Sequence, residues 1–561
     1  DAVNILAGIT IPKKVPHRVG LKMGRPEKAE RRILKGSPQA LFPCGHEGGK
    51  TRNIMEAAVK KTINSRVSNY VCPTCRKKMP FPFCFDCNTR TVLTPTKQES
   101  RYGGSNDLEF NYSNMELNIA DLLKKAMKNI GDESRPKLFK TVRGVMGKDR
   151  NVEFIEKGLL RCKYNLYVNK DGTIRYDSMN VPLTHFKPKE ISVSIEKLKQ
   201  LGYLLDKDNN PIKDKEQVIE LKPQDIIVSD NSIFSGAQYL INICKFVDEL
   251  LVKFYKEKPF YNVKTKEDLL GHLVIGLAPH TSAGVMGRII GFTPAKIGYA
   301  HPFWHAAKRR NCDGDEDSIL LLMDALLNFS RTYLPDTRGG RSMDAPLVLT
   351  SIMNPEEVDD ESWNVDIDSS YPLSFYRQTL KYKYPWELSE TPRVIENVID
   401  TPEVFHAKYT HETTDINDGM IITKYVSLQS MDDKVNTQLT LGKKLIGVNQ
   451  NIVAEKLLSK HFLKDIKGNL RTFSKQSVRC VSCNEKYRRI PLAGICTNCK
   501  EKLILSVSEG FVRKYMEPSK QIIEDFEISP YLCQQFKILE KQVDDLFGKK
   551  DRQLKLFKFG Q

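Results

Sequence analysis

No stretch of this 561-residue sequence approaches the ~18 consecutive apolar residues that a helix needs to cross a bilayer, so no membrane role is expected. Its opening residues, DAVNILAGITIPKK, have no signal-peptide layout. The first residue is Asp1 and not Met, which implies further sequence upstream. No internal repeat at a fixed period is present, which excludes solenoids and repeat arrays. The scattered cysteines of a disulfide framework are also missing. Eight of the 13 cysteines fall in two compact clusters of paired Cys-x-x-Cys, a metal-ligand spacing that an oxidising compartment would waste, so the cytoplasm is expected.

Acidic residues are the minority. The 87 Lys and Arg exceed the 69 Asp and Glu, and the net charge of +18 favours a polyanionic partner, with nucleic acid the leading candidate. The excess is steepest at the start, where eleven basic residues, Arg18, Lys22 and Arg25 among them, face four acidic ones between positions 1 and 52. Interspersed Gly and Pro imply loops and short strands that present this charge to phosphate.

A chain of this length is expected to form several domains. From about 150 to 350 short apolar runs alternate with Gly and Pro, the pattern of an irregular β-rich domain. Within it SILLLMDALLNFS, Ser318 to Ser330, predicts a buried helix. From 350 to 470 the pattern is mixed α and β, with a helix near Asp433 to Leu445, and a helical pattern covers 536–547.

The most informative stretch is AHPFWHAAKRRNCDGDEDS. In an extended segment alternate side chains share a face, so Asn311, Asp313 and Asp315 converge while Cys312 and Gly314 point away. Oxygen ligands at that spacing suit Mg²⁺, which completes its octahedron with water and substrate phosphate. Lys308, Arg309 and Arg310, immediately before, are phosphate donors beside that metal. A calcium loop fits less well. Ser318 stands where its sixth position needs glycine, and Asp324 where its twelfth needs a bidentate glutamate.

Cys72 and Cys75 form one hook and Cys84 and Cys87 a second, with eight residues between them; Cys480 and Cys483, then Cys496 and Cys499, repeat the arrangement with twelve between. Four thiolates complete a tetrahedral zinc shell with no open position, so both sites are expected to be structural Zn²⁺ modules. Cys44 and His46 make only an incomplete pair, and Cys162, Cys244, Cys312 and Cys533 read as ordinary thiols.

Taken together, HRVGLKMGRPEKA at 17–29, GLAPHTSAGVMGRIIGF at 276–292, GYAHPFWHAAKRRNCDGDEDS at 298–318, DALLNFSRTYLPDTRGGRSMDAPLVL at 324–349 and GNLRTFSKQSVRCVSCNEKYRRIPLAGICTNC at 468–499 resemble the carboxy-terminal half of the large, catalytic subunit of archaeal family D DNA polymerases. The resemblance implies a mixed α/β multidomain fold whose catalytic core is a pair of double-psi β-barrels, with zinc-ribbon-like modules. It implies two-metal addition of deoxynucleotides to a primer 3′-end, with Asn311, Asp313 and Asp315 as the Mg²⁺-holding triad. Arg18, Lys22 and Arg25 would face the same site from the other barrel. Arg288, in a glycine-rich turn, is a phosphate contact; His280, Ser282, His301 and His305 could line the site or be structural.

The domains implied are a basic segment at 1–65 contributing to the first barrel, a zinc module at 66–100, a connecting α/β region at 101–190 and the second barrel with the acidic loop at 191–350. An accessory α/β region at 351–474, a zinc ribbon at 475–505, a helical region at 506–547 and a tail at 548–561 follow. The second zinc module resembles the element that docks a small proofreading nuclease subunit. In the tail, Gln553, Leu556, Phe557 and Phe559 resemble a sliding-clamp-binding peptide. Primer-template DNA, deoxynucleoside triphosphates and the amino-terminal half of the large subunit complete the expected partners. Synthesis of RNA on the same core, and a non-catalytic zinc-bearing DNA-binding scaffold, stay open as alternatives.

Overall fold

The computed structural model describes the chain apart from residues 1–4, 6–36, 50, 99–107, 133–134, 233–234, 279–280, 311–314, 335–336, 339–340, 343–346, 385–386, 389, 411–414, 418–427, 429, 446–447, 481–484, 498–499, 501, 506 and 549–561. It divides into two compact units, Lys13–Ile422 and Asp1–Pro12 with Thr423–Gln561.

In the first unit, helix α1 (Ile54–Val59) is capped by the Asn53 side chain, which accepts the Met55 amide proton. Strand β1 (Thr62–Ser68) alternates exposed and buried residues and pairs antiparallel with β2 (Tyr112–Asn118). Helix α2 (Ile119–Ile130) follows directly. It is capped by Asn118, stopped by Gly131 at φ 64°, and turns Ile119, Leu123, Ala126, Met127 and Ile130 inward. Helix α3 (Ile155–Lys163) buries Arg161 completely. The Glu153 carboxylate lies 2.7 Å from its guanidinium, which also donates to the Gln39 and Gly172 carbonyls at 3.1 and 3.0 Å. The other Glu153 oxygen accepts the Leu41 amide at 2.9 Å. A charge this deep is tolerated only when paired and hydrogen-bonded, and here the pairing pins residues 39–41 to the core.

That core surrounds a closed barrel. Its strands are β3 (Tyr176–Pro182), β4 (Asp225–Ser229), β5 (Leu273–Leu277), β6 (Ala283–Thr293), β7 (Gly298–Ala300) and β8 (Glu316–Leu321). They run in the order β4-β7-β3-β8-β5-β6, and β6 pairs back onto β4. Closure of these six strands leaves no open edge between first and last. The β3–β7 and β4–β6 pairings are parallel and the others antiparallel. Outside the ring, β9 (Val348–Thr350) adds parallel to β6. Because β3 lies parallel to the distant β7, the barrel recruits a strand upstream of the boundary expected at 191. Helix α4 (Gly236–Glu249) links β4 towards β5, and α5 (Pro302–Ala307) lies between β7 and β8.

The helix expected over Ser318–Ser330 is half strand: β8 takes residues 316–321, and only α6 (Leu322–Asn328) is helical. A short apolar run has no period to separate the two, and barrel closure buries β8 on both faces. The mixed α/β pattern expected from 350 to 470 also differs. Between 351 and 475 the described residues form helices and turns, with a single isolated bridge at Asp366 and Val394. Asn354 and Asp359 cap successive short helices there, so polar side chains take the backbone hydrogen bonds that a ladder would use. This segment nevertheless has a core, with Val365, Ile367, Ile395 and Val398 packed on Phe303 and Ala306 of α5.

The second unit is helical: α7 (Met431–Lys444), α8 (Gln450–Leu457), α9 (Leu463–Lys475), α10 (Met516–Asp525) and α11 (Pro530–Phe547). They enclose Leu458, Phe462, Ile466, Ile522, Phe536 and Val543. The helices expected near 433–445 and over 536–547 are thus present, the latter as the end of an 18-residue helix. A three-stranded sheet, β10 (Val478–Cys480) between β11 (Lys486–Tyr487) and β12 (Leu503–Ile504), carries Cys480 of the second cluster. Among the described residues no helix is long and apolar enough to cross a membrane.

Candidate active site and cysteine centre

The acidic loop joins α5 to β8, so one of its ends is fixed by a helix and the other by the barrel wall. Helix α5 begins at Pro302, with the buried His301 ring nitrogen Nδ1 accepting the Phe303 amide at 3.2 Å. Asn311, Cys312, Asp313 and Gly314 lie outside the described residues. Asp315 is half-buried, and its carbonyl accepts the Asn180 amide of β3 at 3.3 Å. The Arg310 guanidinium stands 3.6 Å from the Asp315 carboxylate and donates to the Glu316 carbonyl at 2.9 Å. The Asp315 carboxylate therefore has a cation beside it at the point where the chain enters the barrel.

The three consecutive basic residues diverge. Arg309 is exposed, with φ 53°, and Arg310 attends Asp315. Lys308, expected among the phosphate donors, is instead fully buried as an ion pair with Asp317. Its ammonium lies 3.3 Å from the centroid of the Trp304 ring, and Asn180 Nδ2 donates to the same Asp317 oxygen at 3.2 Å. Trp304 is accommodated by two glycines, since a Cβ at Gly276 would lie 2.1 Å from its ring and one at Gly287 3.2 Å. The packing that pulls the lysine stem inward thus comes from strands far away in sequence. One residue further along β8, the Ser318 hydroxyl donates to Asp177 of β3.

His301 and His305 take the structural side of their two readings, both being buried in α5 and its cap. Burial pushes the His301 imidazole down to about 3, and His185 and His305 nearby oppose its charging further. Burial likewise pushes His305 down to about 4, reinforced by Lys308 and partly offset by Asp317, whose carboxylate lies 3.7 Å away. Ser282 is half-buried and its carbonyl accepts the Val348 amide. His280 lies outside the described residues, as do Arg18, Lys22, Arg25, Gln553, Leu556, Phe557 and Phe559.

Arg288 is within β6 and not in a turn, and its guanidinium forms a fork onto Asp225 at 2.9 and 2.7 Å. Its backbone pairs with Leu273, whereas Ser318, next to the acidic loop, pairs with Leu277. Arg288 therefore sits towards the opposite end of β5 from that loop, a consequence of strand register that glycine content does not disclose. Asp177, Asn180 and Asp317, which hold the loop's exit, carry no motif that spacing alone would reveal.

Cys72, Cys75, Cys84 and Cys87 converge, with all four sulfur atoms within 4.8 Å of one another. The Cys75 and Cys84 sulfurs are 3.9 Å apart, close to the ~3.8 Å edge of a tetrahedron with metal–sulfur bonds of about 2.3 Å. The Thr89 hydroxyl, 3.5 Å from Cys72, helps to hold that thiol down at about 6, while Cys75 and burial push Cys87 up to about 12. Phe81, between the two hooks, stacks on Phe42 at 5.9 Å and on Phe154 at 5.2 Å, which fastens the module to the core. In the second cluster, Cys480 and Cys496 are buried, and Tyr487 Oη lies 3.1 Å from the Cys496 sulfur. Cys483 and Cys499 lie outside the described residues. Cys44 is buried while His46 is exposed.

Two family models match the chain: DNA polymerase II large subunit DP2, catalytic domain, over residues 132–434, and the central domain of the same subunit over residues 1–104. Among similar proteins is the DNA polymerase II large subunit of Methanothermobacter thermautotrophicus, 45% identical over 549 residues, covering 98% of this chain and 48% of the relative. That of Archaeoglobus fulgidus is 45% identical over 563 residues, covering 98% and 49%. That of Pyrococcus furiosus is 46% identical over 545 residues, covering 94% and 43%. The chain spans about half the length of the curated relatives it matches.

Proposed function

The chain belongs to the family of the DNA polymerase II large subunit, and from that premise we propose that it carries the nucleotidyl-transfer site of an archaeal DNA-directed DNA polymerase. The observation that carries the reading is Asp315, a half-exposed carboxylate held at the entry to a closed six-stranded barrel with Arg310 beside it. The barrel's two parallel pairings among antiparallel ones support a double-psi type, with residues 1–65 assigned to a second barrel.

The donor set of Asn311, Asp313 and Asp315, all hard oxygen ligands on one short loop, fits two Mg²⁺ ions. Bound there, Mg²⁺ would supply electrostatic stabilisation of the charge that develops on the attacking and leaving oxygens. The chain's own part is positioning. Arg309 and Arg310, with Arg18, Lys22 and Arg25, bind phosphate, while Lys308 and Asp317 hold the loop's two ends. Arg288 is assigned to phosphate less directly, since Asp225 already occupies its fork.

Zn²⁺ is the ion assigned to both cysteine clusters, as closed structural sites. The partners assigned are primer-template DNA, deoxynucleoside triphosphates, the amino-terminal half of the large subunit, a small proofreading nuclease subunit at the second cysteine module, and a sliding clamp at the tail, all in the cytoplasm. Primer extension by the full-length large subunit, with and without the small subunit and Mg²⁺, tests the reading. Mg²⁺-dependent incorporation of deoxynucleotides supports it; binding of DNA with no incorporation under any of these conditions refutes it.

A further inference from the structure

Strand β7 leads into α5 and the acidic loop, β8 leads out of it, and β3 lies between the two and is bonded to both. Asn180 of β3 stands where they come together. It pairs with Gly298 of β7 in parallel register. One position beyond the last β3–β8 pair, Met179 with Glu316, its amide donates to the Asp315 carbonyl at 3.3 Å. Its buried side chain donates from Nδ2 to Asp317 Oδ2 at 3.2 Å, so one residue of β3 holds both chain neighbours of Glu316. Gly298 leaves the room for this: a Cβ there would lie 2.3 Å from Asn180 Oδ1 and displace the carboxamide. Asp317 has a use for the second donor. Lys308 meets the same oxygen, Oδ2, and Oδ1 has no hydrogen-bond partner among the described residues. A lysine ammonium is a compact charge on a flexible stem that either carboxylate oxygen satisfies, so the ion pair alone does not set the direction of the carboxylate. The planar carboxamide of Asn180, fixed on a buried strand, does.

We propose that Asn180 is a positioning residue for Asp315 as a metal ligand. Its amide fixes the Asp315 backbone and its side chain fixes Asp317, so the Asp315 carboxylate is aimed before an ion arrives. The inference deepens the polymerase reading and rests on it for the role of Asp315. Groups that orient a ligand without touching the metal are worth about 10–100-fold in metal affinity. Asn180 acts through one side-chain bond two residues from the ligand, which places it at the lower end of that range.

The test uses the full-length large subunit with its small subunit and Mn²⁺ alone as the probe, free Mn²⁺ being read by electron paramagnetic resonance without DNA or nucleotide. Asn180→Leu keeps the backbone amide and about the same volume but donates nothing to Asp317. It is expected to weaken, by about tenfold, the Mn²⁺ binding that Asp315→Ala removes. Added to Asp315→Ala, it is expected to change nothing further, because both act on one ligand. In primer extension the Mg²⁺ concentration for half-maximal rate should rise by about tenfold, and the lost rate should return as Mg²⁺ is raised. A merely structural role would lower the fraction of active protein and leave the Mg²⁺ requirement where it was. Asn180→Ser, whose hydroxyl is too short to replace the carboxamide, carries the same test should the leucine variant not fold, with a shift in the same direction. Parental Mn²⁺ binding and Mg²⁺ requirement in a folded Asn180 variant, with Mn²⁺ binding lost in Asp315→Ala, overturn the positioning role alone. Parental Mn²⁺ binding in Asp315→Ala overturns the metal reading of Asp315 and the positioning role with it. Weakened Mn²⁺ binding in both variants, from a parent that extends no primer, supports the positioning role and refutes the polymerase reading alone.

Discussion

The Lys308 ammonium and the Asp317 carboxylate meet inside the protein, both side chains wholly excluded from solvent, from opposite ends of the acidic loop. Nine positions of sequence separate them, and the residues between include Asn311, Asp313 and Asp315. Such a pair sets where a loop leaves and re-enters the fold, because either charge alone in this setting would be strongly unfavourable.

Lys308→Met should therefore destabilise the protein by about 3–5 kcal/mol, the usual cost of orphaning a buried charge. Lys308→Met combined with Asp317→Leu should recover much of that loss, since apolar residues of similar volume often replace a buried pair without penalty. Urea denaturation of the first unit's barrel, followed by fluorescence of the neighbouring Trp304, measures both. A double variant no more stable than the single one would mean that the pair contributes through packing and not through charge.

The first cysteine cluster should account for about one metal equivalent per chain, and replacing Cys72 and Cys75 together with serine should remove it. The loss should propagate, because Phe81 between the hooks stacks on Phe42 and Phe154 of the core. Elemental analysis should show about one zinc fewer, and limited proteolysis should open the chain between 66 and 100 first. Unaltered zinc content would transfer the metal to other ligands.

Acid should act through His305. An unfolded histidine gains its proton as pH falls below about 6.5, whereas the folded ring resists until about 4, so the stability it contributes is full above about 6.5 and is lost as pH falls through that window. The slope is about 1.4 kcal/mol per pH unit for one proton. Asp324 works in the opposite direction, since burial raises its carboxyl to about 6 and stability drains as pH rises towards that value. The two oppose each other in the parent's profile, and His305→Gln isolates one of them. Its stability deficit relative to the parent, by urea denaturation, should shrink between pH 7.5 and 5 by about 1–2 kcal/mol. A deficit independent of pH would count against a buried neutral imidazole.

How much of this was legible beforehand depends on how local the cause is. The hooks of the first cysteine cluster read directly, because ligand spacing ties residue type to position within a few residues, and the fold brings Cys72, Cys75, Cys84 and Cys87 together. The helices at Met431–Lys444 and Pro530–Phe547 likewise follow from local period. Lys308 did not read correctly, since its burial depends on Trp304 fitting against Gly276 and Gly287, which only barrel closure brings near. Arg288 was misplaced for the same reason: strand register, a long-range property, puts it beside Asp225 and away from the acidic loop. The apolar run SILLLMDALLNF split between strand and helix because its composition suits either.

The last expectation concerns the chemistry itself. If Asp313 and Asp315 hold the ions that stabilise developing charge, their loss should act on the transition state far more than on the bound ground state. Asp313→Ala or Asp315→Ala should lower single-turnover extension by several orders of magnitude, about 10³-fold or more. Primer-template affinity should hold or rise, because basic residues supply most of it and removing a carboxylate beside phosphate removes a repulsion. Asp315→Ala also frees Arg310 from its 3.6 Å partner, which should increase the salt dependence of DNA binding slightly. Asn311→Ala should be milder, since a neutral amide holds Mg²⁺ less firmly. Each variant is to be assayed in the intact complex by rapid-quench extension and by a DNA-binding titration on the same preparation. Near-parental extension by both aspartate variants would remove the acidic loop from the mechanism, whereas loss of binding in step with extension would make those carboxylates structural supports of the DNA site.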